Sequence, residues 1–167
     1  NFGGGSSIGV ASGKWYFEAK ATVGSGSSDR NVIGVTGELS TIAYNKSYVG
    51  TNSTVHYQSY NGKVLKNDSD VYTGSTYATG NIIQIALDID NLHVYFGKDG
   101  TWQNSGNPES GATGTGSAYN LTTGYYYTFG CSVHSSSDQM SANFGSPPYA
   151  VSDPSSDANG YGAFDID

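Results

Sequence analysis

Apolar and polar residues alternate along several stretches of this chain with the period of two that is typical of β-strands. Between Lys14 and Val23, Trp15, Phe17 and the apolar residues at every second position after them share one face. Isoleucine and leucine repeat the pattern from Asn81 to Ile89, and a further apolar alternation begins at Leu92. Each stretch is therefore predicted to be a strand with one face toward a core.

Turn-forming residues separate these strands. Asp90 and Asn91 tolerate the positive φ of a tight hairpin, and Lys98–Thr101 supplies a second tight turn. No stretch carries the apolar stripe of an amphipathic helix, so the sequence predicts an all-β protein. Shorter strands are predicted over Val32–Thr36, Val55–Tyr60, Lys63–Lys66, Tyr125–Val133 and Ser141–Phe144.

Many short strands separated by Gly, Asn, Asp and Ser favour a two-layer antiparallel β-sandwich over a barrel. A length of 167 residues suits one domain. We divide the chain into an N-terminal extension or linker at 1–12, the sandwich at 13–149, and a C-terminal tail at 150–167 that packs on the sandwich. The predicted core consists of Trp15, Phe17, Ile83, Ile85, Leu87, Val94, Phe96, Phe129 and Phe144.

Charge and cysteine content exclude several classes of function. Seven basic and fourteen acidic residues give a net charge of −7, which would repel a phosphate backbone, so we expect no nucleic-acid partner. Cys131 is the one cysteine, so the chain can form neither an internal disulfide nor a cysteine zinc cluster. No apolar run is long enough for a membrane span or a signal-peptide core. A start at Asn1 suggests a processed chain or a piece of a longer protein.

Several motifs occur in the order found in one known family, and the chain resembles SPRY domains from about Gly13 to Tyr149. The likeness is greatest to SPRY modules of bacteriophage and marine virus structural proteins, and it implies a concanavalin A-like jelly-roll sandwich that binds rather than catalyses. Gly160–Phe164 departs from the family's usual ending. The motifs are Gly13–Glu18, Val32–Val35, Thr79–Asp88, Leu92–Gly100, Gly100–Gly106, Tyr126–Tyr127 and Ala142–Gly145.

The sequence offers no convincing catalytic or metal-binding set. Its three histidines are widely separated, and its serines lack the nucleophile-elbow context of a hydrolase. Glu18, Glu38 and Glu109 do not provide the paired carboxylates of a glycosidase. Asp88 and Asp90 suit a hairpin turn better than a calcium loop, which would end in a glutamate. We therefore expect a protein that is not an enzyme and needs no cofactor or metal.

Tyrosines outside the inward-facing sets are the best candidates for recognition. Tyrosine among Asn, Ser and Gly is the composition of antibody paratopes, and it also suits stacking on sugars. Tyrosine is also common on the outer faces of β-sheets, which is the alternative interpretation. The predicted ligand-binding residues, all aromatic and placed in loops, are Tyr44, Tyr48, Tyr60, Tyr77, Trp102 and Tyr119.

Two functions remain open. The first is a structural and recognition module of a phage virion, such as a capsid decoration, head-fibre or tail-fibre domain. Its partners would be other virion proteins and a host-surface glycan or protein, and analogy with fibres suggests a homo-oligomer, specifically a trimer. The alternative is a carbohydrate- or protein-binding adhesin domain of a secreted or cell-surface protein. The expected location is the virion surface, on capsid or tail, or alternatively the extracellular space, without membrane insertion.

Overall fold

The computed structural model describes residues 2–23, 31–37, 53–67, 69–134, 136–151, 154–157 and 159–165. Twelve strands and two short 3-10 turns, at Gln103–Ser105 and Gly111–Thr113, form in these residues. The strands are β1 (Phe2–Gly5), β2 (Lys14–Val23), β3 (Val32–Thr36), β4 (Thr54–Gln58), β5 (Lys63–Lys66), β6 (Ser69–Thr73), β7 (Ile82–Asp88), β8 (His93–Lys98), β9 (Thr101–Trp102), β10 (Tyr119–Asn120), β11 (Thr128–Val133) and β12 (Gln139–Asn143).

The strands form two antiparallel sheets that pack face to face around one core. The first sheet has the order β1-β11-β3-β4-β5-β6, and the second has the order β10-β8-β7-β2-β12, with β9 paired to β8. The predicted fold class, an all-β antiparallel sandwich, is confirmed. Within the described ranges, no helix is long and apolar enough to cross a bilayer.

Strand β2 has the bounds that the alternation predicts, and Phe17 pairs with Ile85 on β7. The tight turn at Lys98–Thr101 is also present, with positive φ at Asp99 and Gly100. The turn between β7 and β8 differs from the prediction. Its positive φ falls on Leu92 (64°) rather than on Asp90 or Asn91, because Asp88 pairs with His93 and the turn therefore contains four residues.

Most of the predicted core residues are buried between the sheets, but two are not. Trp15 lies at the start of β2 and is 46% exposed, with its indole Nε1 donating to the Ser12 carbonyl oxygen at 2.8 Å. Phe144 follows the last residue of β12 and is 56% exposed. Alternation assigns both residues to the inner face, but both occur where their strands end. The buried members of the predicted core are Phe17, Ile83, Ile85, Leu87, Val94, Phe96 and Phe129.

The outer face of the second sheet is also covered, so β2 is buried on both sides near its middle. Glu18 on this face has no solvent exposure. The C-terminal segment lies over it, where the Phe164 ring packs edge-on against Tyr16 with 5.2 Å between centroids. The Asp165 carbonyl oxygen accepts a hydrogen bond from Gln84 Nε2 at 3.0 Å. A carboxyl group that alternation places toward solvent is therefore enclosed by the chain's own C-terminal residues.

The outer face of the first sheet contains a buried histidine that should make stability depend on pH. Burial lowers the pKa of His56 from an ordinary 6.5 to about 4. The unfolded chain takes up a proton near pH 6.5 and the folded chain only near pH 4, so stability falls as the pH drops through this window. Lowering the pH from 7 to 5 should therefore reduce the free energy of unfolding by about 2 kcal/mol through this residue.

Urea unfolding of the His56→Gln variant at both pH values measures this contribution. The variant should lose about 2 kcal/mol less than the wild type over the same interval. His134→Gln is the matched control, because it makes the same substitution at an exposed histidine. An equally steep pH dependence in His56→Gln would show that other groups cause it.

Candidate binding surface

Of the six aromatic residues predicted to bind ligand, the structure describes the side chains of Tyr60, Tyr77 and Trp102, and it does not gather these three into one site. Tyr44 and Tyr48 lie outside the described residues, and Tyr119 is in β10, where its backbone pairs with Val94. Tyr60, in the turn after β4, is 40% exposed. No ring contact found in the described part of the chain joins any two of the six. They therefore do not form a single aromatic platform there.

The assignment of Tyr77 to an exposed ligand-binding set is wrong. Tyr77 is 5% exposed, and its hydroxyl lies within hydrogen-bonding distance of the carbonyl oxygens of Asn31 (3.0 Å) and Tyr57 (3.2 Å). The residue belongs to no strand, so alternation could not assign it to a face, although its ring reaches the core. Trp102 is half-buried, and its ring packs edge-on against Tyr16 with 6.5 Å between centroids.

Exposed apolar side chains instead occur near the ends of several strands. Ile8 lies in the chain after β1, Tyr126 lies just before β11, Phe144 follows β12 and Trp15 lies at the start of β2. Two of them, Trp15 and Phe144, were predicted to be core residues, and sequence reasoning missed the other two. We call this set the apolar patch, and its exposed fractions are 71% for Ile8, 46% for Trp15, 62% for Tyr126 and 56% for Phe144.

Buried rings and main-chain bonds hold the patch in place. The ring of Phe144 stacks on Phe17 with 4.6 Å between centroids and lies 6.3 Å from Phe129. The backbone N–H of Ser6 donates to the Phe129 carbonyl oxygen at 2.8 Å, which fixes the segment that leads to Ile8. Anchored rings lose little side-chain entropy on binding, which favours their use as contact residues.

The backbone next to Tyr126 leaves little room for movement. A Cβ added at Gly9 would lie 3.1 Å from the Tyr126 Cβ, so the two strand extensions are in close contact. Val10 forms an antiparallel bridge with Tyr127 beside it. The chain from Ile8 to Val10 thus lies against the residues that enter β11. A sequence signal existed for Tyr126, since in Tyr125-Tyr126-Tyr127 the alternation that buries Tyr127 turns Tyr126 outward.

The candidate catalytic residues have structural roles. Asp88 accepts hydrogen bonds from the Asn91 backbone N–H (3.0 Å) and side chain (2.9 Å), and it pairs with Lys14 at 3.4 Å. Burial opposes ionisation of Asp88, but these partners hold its pKa below the ordinary value. This carboxylate therefore closes the hairpin turn. In the described ranges, no group of three or more His, Cys, Asp and Glu residues is placed to hold a metal ion.

Glu18 accepts an extensive set of hydrogen bonds. Tyr16 Oη donates to Oε1 at 2.7 Å, Asn143 Nδ2 donates to Oε2 at 2.9 Å, and the Asp165 backbone N–H donates to Oε1 at 2.8 Å. Burial raises the pKa of Glu18, while these hydrogen bonds act in the opposite direction. These hydrogen bonds join the C-terminal segment to β2 and β12. Because the carboxylate is enclosed, a substrate cannot reach it.

A solved structure with a similar fold is the crystal structure of the SPRY domain of human HERC1. The two chains superpose with a TM-score of 0.63 at 20% sequence identity, over 84% of this chain and 79% of that chain. At this identity the likeness shows a shared SPRY-like fold. No family model and no curated protein matches the sequence.

Proposed function

We propose that this domain is a non-enzymatic module that binds another protein, and that the apolar patch is its contact surface. The observation that carries the proposal is the exposure of four large apolar side chains near strand ends that are linked by the Ser6–Phe129 hydrogen bond and by ring contacts of Phe144. Single exposed apolar residues are normal on soluble proteins, whereas neighbouring ones mark interaction sites. Aromatic residues with anchored rings are also the commonest hot spots of protein interfaces.

The charge and fold support the same function. A net charge of −7 disfavours nucleic acid and favours a partner with a basic surface around an apolar centre. Strands β1 and β12 are the ends of their sheets, and Ile8 and Phe144 follow them in the chain, so a partner there would meet both side-chain and main-chain groups. The fold alone does not decide function, so the proposal depends on the surface.

Site-specific photo-crosslinking tests this function. A benzoylphenylalanine at position 144 should form a discrete adduct with one protein of the native source, and the same group at Val71 should not, since Val71 lies on β6 at the opposite edge. Excess unlabelled wild-type domain should compete for the adduct, while a Tyr126→Ser/Phe144→Ser double variant should compete at least about tenfold less well. Equal competition by the two proteins would contradict the proposed surface.

We further propose that the domain works on the surface of a virion, as a capsid, head-fibre or tail-fibre component. The support is the sequence resemblance to SPRY modules of phage and marine virus structural proteins, together with an acidic chain that has a single cysteine. Immunogold labelling or cryo-electron microscopy of virions from the source would test the location. Density or label on the capsid or tail is expected. Absence from particles would favour the adhesin function, for which a glycan array is the next experiment.

A further inference from the structure

A groove opens beside the apolar patch, between the edge strands of the two sheets. Strand β1 ends the first sheet and β12 ends the second, and residues of both strands line the groove. The groove has a volume of about 360 Å³, and Gly4, Cys131, Val133, Asp138 and Met140 are among its lining residues. Gln139 and Ser141 complete the lining, so apolar side chains lie beside polar ones and one carboxylate.

Strand β1 itself carries neither of two features that usually protect an edge strand from pairing, a charged side chain and a proline. Proteins block such edges with charged side chains, proline, bulges or a covering segment. The sequence of β1 is Phe-Gly-Gly-Gly, which has neither charge nor proline. A Cβ added at Gly4 would meet no atom within 4 Å, so open space lies over the face of the strand that lines the groove.

The opposite edge of the same sheet is protected. Strand β6 carries Asp70, whose carboxylate pairs with Lys63 Nζ at 2.5 Å, and its pairing with β5 shifts register between Val64 and Leu65. Charge and a register shift are two of the recognised means of preventing strand addition. The two edges of one sheet therefore differ, and β1 is the edge that can accept another strand.

We propose that the β1 edge binds an extended segment of the partner protein by strand addition, with alternate side chains entering the groove. This inference rests on the proposed protein-binding function and names the form of the partner. Main-chain hydrogen bonds to β1 would supply affinity, and the groove would select the side chains. Strand periodicity then requires an apolar residue at every second position of the bound segment.

The charges of the groove specify the remaining chemistry of that segment. Asp138 is 5% exposed and lines the groove, no lining residue is basic, and the chain has a net charge of −7. A lysine or arginine in the segment would complement this field. A second copy of the chain fits poorly for two reasons. It would bring a second net charge of −7, and its own glycine-rich β1 would make few cross-strand side-chain contacts.

Selection from a phage-displayed library of random 12-residue peptides against the immobilised domain tests this proposal. The selected peptides should alternate apolar residues and carry at least one lysine or arginine. Gly4→Val, whose side chain would fill the open space, should weaken their binding at least about tenfold. Ser69→Val on the exposed part of β6 is the matched control and should leave binding unchanged. Peptides N-methylated at alternate positions, which cannot donate to a strand edge, should lose binding.

The outcomes separate this inference from the proposed function. Peptides that bind Gly4→Val as tightly as wild type would overturn strand addition at β1, while crosslinking at position 144 would still support a protein partner. Failure of both the selection and the crosslinking would overturn both. Dimerisation of the purified domain that Gly4→Val abolishes would instead identify a second copy as the occupant and would overturn the partner segment. A urea midpoint of Gly4→Val equal to wild type or higher shows that the fold is intact.

Discussion

Replacing Glu18 by alanine should lower the free energy of unfolding by about 3 kcal/mol or more and release the C-terminal segment from the second sheet. Four donors lose their acceptor at once: Tyr16 Oη, Asn143 Nδ2, the backbone N–H of Asp165 and, at 3.5 Å, Tyr149 Oη. A buried donor without a partner costs about 1–3 kcal/mol, because it loses water on folding and gains nothing in return. The Asn143 amide also donates to the Ala163 carbonyl oxygen at 2.8 Å, so the loss affects the segment directly.

Urea unfolding combined with limited proteolysis measures both effects. In Glu18→Ala, cleavage within 154–165 should precede cleavage of the strands, whereas in the wild type this segment should resist. Glu109→Ala is the matched control, since Glu109 is exposed and its removal should change stability by less than about 0.5 kcal/mol. Equal stability of Glu18→Ala and Glu109→Ala would mean that the buried carboxylate does not hold the segment.

Replacing Gly34 by alanine should also be severely destabilising, by about 3 kcal/mol or more. Gly34 lies in the middle of β3 and pairs with His56 on β4 and Gly130 on β11. A Cβ at this position would lie 2.2 Å from the Val55 carbonyl oxygen and 2.8 Å from the His56 Cα. These are backbone atoms of a central strand, so the contact can be relieved only by separating β3 from β4.

Gly4→Ala is the matched control for this substitution, because Gly4 is also in a strand of the first sheet and its added Cβ would meet nothing within 4 Å. The control should match or slightly exceed wild-type stability, since alanine restricts the unfolded chain. Thermal unfolding of the two variants makes the comparison. A melting temperature of Gly34→Ala within a degree or two of wild type would show that β3 and β4 adjust without cost.

Alternation with a period of two predicted the central strands, because each of these strands turns every second side chain toward the interior of the sandwich. Strand β2 and the pairing of β7 with β8 follow directly from apolar residues at every second position. Strand β1 could not be predicted this way, since three of its four residues are glycine and present no pattern. Strand β6 is an edge with mostly exposed residues, and it too has no apolar face.

The limits on predicting the site have a similar cause. Alternation assigns a residue to a face but does not show where the opposing sheet ends, so Trp15 and Phe144 were placed in the core although they lie at its margin. Nor does it show which outer face another segment covers, and this is why Glu18 is buried. The proposed binding surface depends on how the two sheet edges meet, a long-range property that no local window contains.

Amide hydrogen exchange of the domain, free and saturated with its crosslinked partner or a selected peptide, tests most directly whether binding occurs at the open side. The expected result is new protection in Phe2–Gly5 and in β12, together with the segment after β12 that carries Phe144. The β4–β5 turn with Tyr60 and the β9 and β10 region should remain unchanged. Protection confined to those two regions, with β1 and β12 unaffected, would contradict the proposed surface and restore the loop aromatics as the binding site.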